Sequence, residues 1–149
     1  MPTPVARAAL AVALVAAVGC YKNREFEDAN PNVPGTHYKS IATLAGTNAG
    51  SDIRLMVKLR QTLKDGGWKA EPRSGRWDSA ADAVNHVCSP GADNPVDGVL
   101  IVTYDRLTLY DCQTLKASYD IQSSPMAGGM GLDEMTKHLI RYLQGKNTK

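Results

Sequence analysis

The apolar positions of this chain change period several times, and each period predicts a different element. From Ala8 to Gly19 there are twelve apolar or small residues in a row, without helical or strand period. Residues 21–37 (YKNREFEDANPNVPGTH) then show no apolar period at all. Tyr38–Leu44 (YKSIATL) predicts a first strand. Asp52–Lys64 predicts a helix, with Ile53, Met56, Val57 and Leu63 in a broad stripe flanked by Leu55 and Leu59. Ser51 can cap it, Asp52 complements its dipole, and Gly66 with Gly67 stop it.

Trp68–Arg73 reads as a second strand, with Pro72 near its end. From about Ser79 to Cys88 a second helix follows, with Trp77, Ala80, Ala81, Val84 and Val87 at helical spacing, Asp78 as its capping candidate and Ser89-Pro90-Gly91 as its stop. Residues 91–97 (GADNPVD) form a polar loop. Gly98–Tyr104 (GVLIVTY) has four consecutive apolar residues, the pattern of a central strand covered on both faces. Asp105-Arg106 turns the chain. Leu107–Tyr110 and Ala117–Ile121 alternate around a tight turn at Asp111-Cys112-Gln113-Thr114. Residues 123–131 have a linker's composition. Leu132–Gln144 is a last helix on Leu132, Met135, Leu139 and Leu143, with Asp133 and Glu134 at its start and Gly145 at its end.

The resulting order is β-α-β-α-β-β-β-α, without internal repeat. Strand–helix–strand units favour parallel pairing with right-handed crossovers, and the later hairpins add antiparallel strands. The expected fold class is α/β (α+β): one small domain, a mixed sheet flanked by helices.

Composition narrows the function. The chain has 149 residues, 43% hydrophobic, with 17 basic and 15 acidic residues for a net charge of +2. That is enough apolar material for a core and too little positive charge for a dedicated nucleic-acid binder. The twelve-residue run is too short for a membrane span, which needs about 20 apolar residues, and has the length of a signal peptide's apolar region. It ends in Ala17-Val18-Gly19-Cys20, which resembles the lipobox of bacterial lipoproteins, although that family favours Leu where Ala17 stands. The resemblance implies lipidation of Cys20, with palmitate among the acyl chains. An ordinary signal peptidase cutting after Gly19 leaves the same mature chain without lipid. Removal of residues 1–19 takes away Arg7 and leaves 16 basic residues against 15 acidic, a net charge of +1. The expected divisions are a signal peptide (1–19), Cys20 with a flexible tether (20–37), a globular domain (38–145) and a short tail (146–149). The expected location is the cell envelope, anchored to a bacterial membrane and facing the periplasm.

A wider resemblance covers residues 38–122. The strand SIATLAG, the glycine-ended helix followed by WKAEPRS, and the stretch DGVLIVTYDRLTLYDCQTLKASYDI are similar to the TolB amino-terminal domain and the curli-secretion lipoproteins. The resemblance implies a small periplasmic domain that docks on other envelope proteins.

Candidate chemistry is sparse. Gly46-Thr47-Asn48-Ala49-Gly50-Ser51 joins strand to helix where phosphate loops sit, but it lacks the Lys of a P-loop and the glycine spacing of a dinucleotide fold. His86 and Cys88 lie two apart and point about 200° away from each other on a helix, which suits neither a zinc site nor a thiol nucleophile. His37 and His138 lie in other segments. Asp78 and Asp82 are one turn apart, as on many solvated faces. Gly128-Gly129-Met130-Gly131 precedes a helix and reads as a linker. No catalytic residue, metal or cofactor is expected. Tyr104, Tyr110 and Tyr119 fall on or beside the hairpins, and form either an exposed patch for a partner or cross-strand packing.

Cys88 and Cys112 are expected to pair. Export exposes them to an oxidising compartment and lipidation consumes Cys20. A helix antiparallel to the parallel strands ends at Cys88, near the start of the Gly98 strand. A turn at Asp105-Arg106 sends the next strand back, so Cys112 returns to that same end. Two reduced thiols are the alternative. The functional expectation is a non-enzymatic envelope lipoprotein that binds or helps assemble another envelope protein. The alternatives are a small periplasmic hydrolase, expected to gather carboxylates and histidines near residues 45–51, 74–79 and 104–106, and a small-ligand or peptidoglycan-binding module with an aromatic-lined pocket.

Overall fold

Both strand–helix–strand patterns fold as parallel crossovers in the computed structural model, which describes residues 25–46, 53–123 and 128–146. The strands are β1 (Phe26–Ala29), β2 (Ser40–Ala45), β3 (Lys69–Pro72), β4 (Gly98–Val102), β5 (Arg106–Asp111) and β6 (Ala117–Gln122). The helices are α1 (Ile53–Asp65), α2 (Ala80–Val87) and α3 (Leu132–Leu143), with a 3-10 turn at Gly35–His37. One mixed sheet runs in the order β1-β6-β5-β4-β2-β3. β2 lies between β4 and β3, parallel to both, and β4, β5, β6 and β1 follow antiparallel.

The helices cover opposite faces. Ile41, Leu100, Val102, Leu107, Leu109, Tyr119 and Ile121 pack against Leu59 and Leu63 of α1 and Met135, Leu139 and Leu143 of α3. On the other face Ala42, Leu44 and Val99 meet Ala83, Val84 and Val87 of α2. The apolar run of β4 is thus shared between two cores, as its lack of alternation predicts. Pro72 sits at the end of an edge strand, where a missing N–H costs no ladder bond.

Several local expectations change. The apolar stripe of α1 is narrower than its composition: Met56, Leu59 and Leu63 face the core, whereas Val57 is 51% exposed and Leu55 is exposed. At about 100° per residue, Val57 is carried off the stripe. Ser79, not Asp78, caps α2: its extended backbone lets its hydroxyl accept the Asp82 N–H at 3.1 Å. Ala80 and Ala81 face solvent, and Ala83 takes the buried place.

The largest correction concerns the tether. From Phe26 onward the segment read as flexible is folded. β1 pairs antiparallel with β6, from Phe26 opposite Gln122 to Ala29 opposite Tyr119. The 3-10 turn then lies against the last turn of α3, so closely that a Cβ on Gly35 would stand 1.9 Å from the Tyr142 carbonyl oxygen. Local polarity hid this because only alternate β1 positions, Glu27 and Ala29, are partly covered. Cys20, the proposed cap Ser51, the loop 47–52 and Ser124–Ala127 lie outside the described residues.

Candidate functional site

At the end of the sheet where β2 and β4 begin, four segments converge. The register places Gly98 opposite Asp111. Cys88, just past α2, and Cys112, just past β5, are joined by a disulfide with their Cα atoms 5.1 Å apart. The Asp97 carboxylate accepts from the backbone N–H groups of Lys39 (2.8 Å) and Ser40 (3.0 Å) and from the Ser40 hydroxyl (3.3 Å). Burial alone would raise the Asp97 carboxyl, but these donors outweigh it and hold it below the usual carboxylate range. Buried Asp111 accepts the Thr114 N–H at 2.9 Å and shapes the β5–β6 turn. Its other oxygen lies 3.3 Å from Nε2 of His37, within ion-pair distance but not aligned as a hydrogen bond.

A second polar network fastens β1 and α3 to the sheet. Tyr119 donates to Oε1 of Glu27 at 2.7 Å, and Oε2 of Glu27 lies 3.1 Å from Nδ1 of His138. Tyr142 donates to the Val33 carbonyl at 2.6 Å and stacks on Tyr119 with ring centroids 4.8 Å apart. Tyr38 donates to the Ser118 hydroxyl at 2.6 Å. Burial drives the ionisation of Tyr38, Tyr119 and Tyr142 above the ordinary phenol range. These are fold-holding contacts.

An open concave surface lies beside α2, around Trp77. One cleft of about 480 Å³ is lined by Arg73, Ser74, Trp77, His86, Asp93 and Asn94, among others. A second, of about 440 Å³, lies at the ends of β2 and β4 and is lined by Gly46, Gly75, Arg76, Trp77, Asp78 and Thr103, among others. Both fall within the usual size of ligand pockets. Trp77 belongs to both and is half-buried. Its indole is seated by Gly75, where a Cβ would come 2.3 Å from Cζ2, and by His86, whose ring centroid is 4.8 Å away. Arg73 is fixed by Glu71 at 3.2 Å and by the Asn94 carbonyl at 2.8 Å.

The sequence candidates distribute as follows. Tyr104, Tyr110 and Tyr119 do not make one exposed patch. Tyr119 is 1% exposed in the core facing α1 and α3, Tyr110 packs toward the opposite core beside Cys112, and only Tyr104, at 53%, lies open. Alternation along β5 and β6 sends Tyr110 and Tyr119 to different faces. The histidines do not converge: His37 meets Asp111, His138 meets Glu27, and His86 lies on Trp77. Of the carboxylates expected near the strand ends, Asp78 lines the second cleft and Asp105 accepts from the Thr103 hydroxyl at 3.0 Å. Among the described residues no group of three or more His, Cys, Asp or Glu could hold a metal ion. Among them, too, no helix is long and apolar enough to cross a membrane.

Sequence reading missed the Trp77 surface. Its signals were Gly75-Arg76-Trp77 between strand and helix and the polar loop at 91–97, which only the crossover brings together.

No protein-family model and no curated protein matches this chain. Among the solved structures that are similar are two of PelC. The PelC dodecamer from Paraburkholderia phytofirmans is 13% identical with a TM-score of 0.45, covering 83% of this chain and 98% of that one. A PelC point variant from the same organism, also a dodecamer, is 12% identical with a TM-score of 0.43, covering 84% and 98%. At that distance the likeness says nothing of ligand or assembly here.

Proposed function

We propose that this protein is a non-enzymatic lipoprotein of the bacterial cell envelope, anchored through Cys20, whose domain works by binding another envelope protein. The observation that carries this reading is where the ionisable side chains are spent. His37 and His138 are engaged with buried or half-buried carboxylates that hold chain segments together, and His86 supports Trp77. A hydrolase needs such groups gathered at one reacting atom. The Cys88–Cys112 disulfide suits an oxidising compartment and so an exported chain. Among the described residues the sheet also has two edges, β1 and β3, each paired on one side only, where a partner strand can add.

The test has two arms. Globomycin treatment of cells is expected to accumulate the unprocessed precursor. Recovery of a water-soluble mature protein with unmodified Cys20 removes the anchor. Crosslinking of the mature protein in membranes, followed by mass spectrometry, is expected to recover one envelope protein reproducibly. Recovery of none removes the docking reading. A second reading, a small-ligand or glycan-binding module, is favoured by one feature, the paired clefts at Trp77.

A further inference from the structure

We propose that the end of the sheet carrying Phe26 and Tyr104 lies on a phospholipid bilayer and inserts its exposed apolar side chains at the headgroup level. The proposal rests on the anchoring reading above and deepens it, by assigning the face of the domain that meets the membrane. Topology gathers the residues. β1 begins at Phe26, opposite Gln122 at the end of β6, and Gln122 stands opposite Arg106. Just before Arg106 the chain turns through Tyr104 and Asp105, whose carbonyl accepts the Ser123 N–H at 2.8 Å. Phe26 and this turn therefore share one end of the sheet, about 10 Å apart across two strand spacings. β2 ends there too, with Ala45 opposite Val102. The helix that returns from it to β3, α1, thus starts at that end and carries Leu55 in its first turn.

Five large apolar side chains are exposed among the described residues, and Phe26 (52%), Tyr104 (53%) and Leu55 (37%) stand at this one end. Val57 lies further along α1, and Leu115 lies in the β5–β6 turn at the opposite end. Exposed apolar residues grouped in this way mark an interaction surface. The length of chain before the fold selects its occupant. Phe26 is six steps from Cys20, a reach of about 20 Å at most. An anchor on Cys20 therefore holds this end of the domain to the bilayer, whereas the opposite end is a strand length, about 17–20 Å, further away. The side chains suit that boundary. Phenylalanine and leucine bury apolar surface, and tyrosine has an apolar body with a polar tip that stays among the headgroups. Glu25, Asp105 and Asp133 stand near the same end. Attraction to anionic lipid is thus not what holds it, and the contact is expected to persist in ~0.5 M salt, where exposed charges are screened.

The experiment uses the mature chain, residues 20–149, coupled through Cys20 to a maleimide phospholipid in vesicles of phosphatidylethanolamine and phosphatidylglycerol. Cys88 and Cys112 are bridged, so Cys20 alone reacts. The coupling makes the test independent of whether cells lipidate Cys20, which the globomycin arm decides. Tyr104→Trp and, at the opposite end, Gln113→Trp are compared with the parent chain in vesicles doped with dibrominated lipid, which quenches an indole only at near contact. The emission added by Tyr104→Trp is expected to be quenched roughly twofold or more, as for a ring seated at the headgroup level. That added by Gln113→Trp is expected to be unaffected. Adding Phe26→Ser and Leu55→Ser to Tyr104→Trp is expected to relieve the quenching, because both side chains are exposed and insertion needs them. No quenching at Tyr104→Trp, or equal quenching at both positions, overturns the proposal. So does quenching that the added serines leave unchanged, since the tether alone then explains it. A blue shift of the new indole without quenching assigns this end to a second copy of the chain and overturns it as well.

Discussion

The hydroxyl of Tyr119 donates to Oε1 of Glu27, 92 positions earlier, at 2.7 Å. The same carboxylate reaches His138 through its other oxygen. One side chain of β1 is therefore tied to the sheet and to α3, which explains why a polar segment folds from Phe26 onward. It also bounds the proposed anchor. Six steps along the chain separate Cys20 from Phe26, a reach of about 20 Å at most, so a lipidated Cys20 keeps β1 close to the bilayer.

Glu27→Ala is expected to cost about 1–3 kcal/mol, because it leaves the buried Tyr119 hydroxyl without its acceptor. Glu27→Gln, which keeps an oxygen there, is expected to cost less. Urea denaturation of the three proteins checks this, and equal stability of all three would remove the role given to Glu27.

Loss of the disulfide is expected to be the larger effect. The bond closes 25 residues, counted from a sequence separation of 24, and in the chain-entropy model such a loop is worth about 3.5 kcal/mol. Cys88→Ser with Cys112→Ser, or reduction, should lower the urea midpoint accordingly. Alkylation of the unreduced mature protein should label neither residue; two labelled thiols contradict the bridge.

Stability should fall at both pH extremes for different reasons. The Asp97 carboxyl is held low in the folded state, so its contribution is full above the unfolded value and is lost as pH drops through the folded one, below about pH 4. Asp97→Asn should flatten that acid limb. Tyr38, Tyr119 and Tyr142 are raised, so their contribution is full below the unfolded value near pH 10 and is lost above it. Of the six tyrosines in the chain, Tyr38 and Tyr119 should ionise only as the protein unfolds. Tyrosinate absorbance that accounts for all six tyrosines in a still-folded protein would contradict this.

Gly35→Ala is expected to destabilise by about 2 kcal/mol or more, because the added methyl collides with the backbone of α3. Calorimetry should show a lowered Tm. An unchanged Tm would mean that the 3-10 turn does not lie where described.

The pairing of Cys88 with Cys112 was an expectation of the sequence, because an antiparallel helix and a reversal at Asp105-Arg106 return both residues to the same end of the sheet. The four apolar positions of β4 similarly announced a strand between two layers. Helix ends at Gly66 and Gly145 and the strand end near Pro72 were written in local chemistry. Such features depend on neighbours in sequence or on the handedness of a crossover, and residue order alone determines them.

Other features depend on what stands across the fold. β1 carries no apolar pattern because its stability comes from a ladder with β6 and from Tyr119, both about 90 residues away. The tyrosines looked alike in sequence, yet strand alternation buries Tyr119, half-buries Tyr110 on the opposite face and leaves Tyr104 in solvent. The groove at Trp77 draws on residues 73–79 and 86–94, which α2 and its turn bring side by side. Sequence by itself determined the α/β class, the three helices and strands β2 to β6, and pointed to the disulfide. Only the tertiary structure decided which polar segment joins the sheet and which aromatic ring stands at an open surface, because burial and pairing are properties of residues distant in the chain.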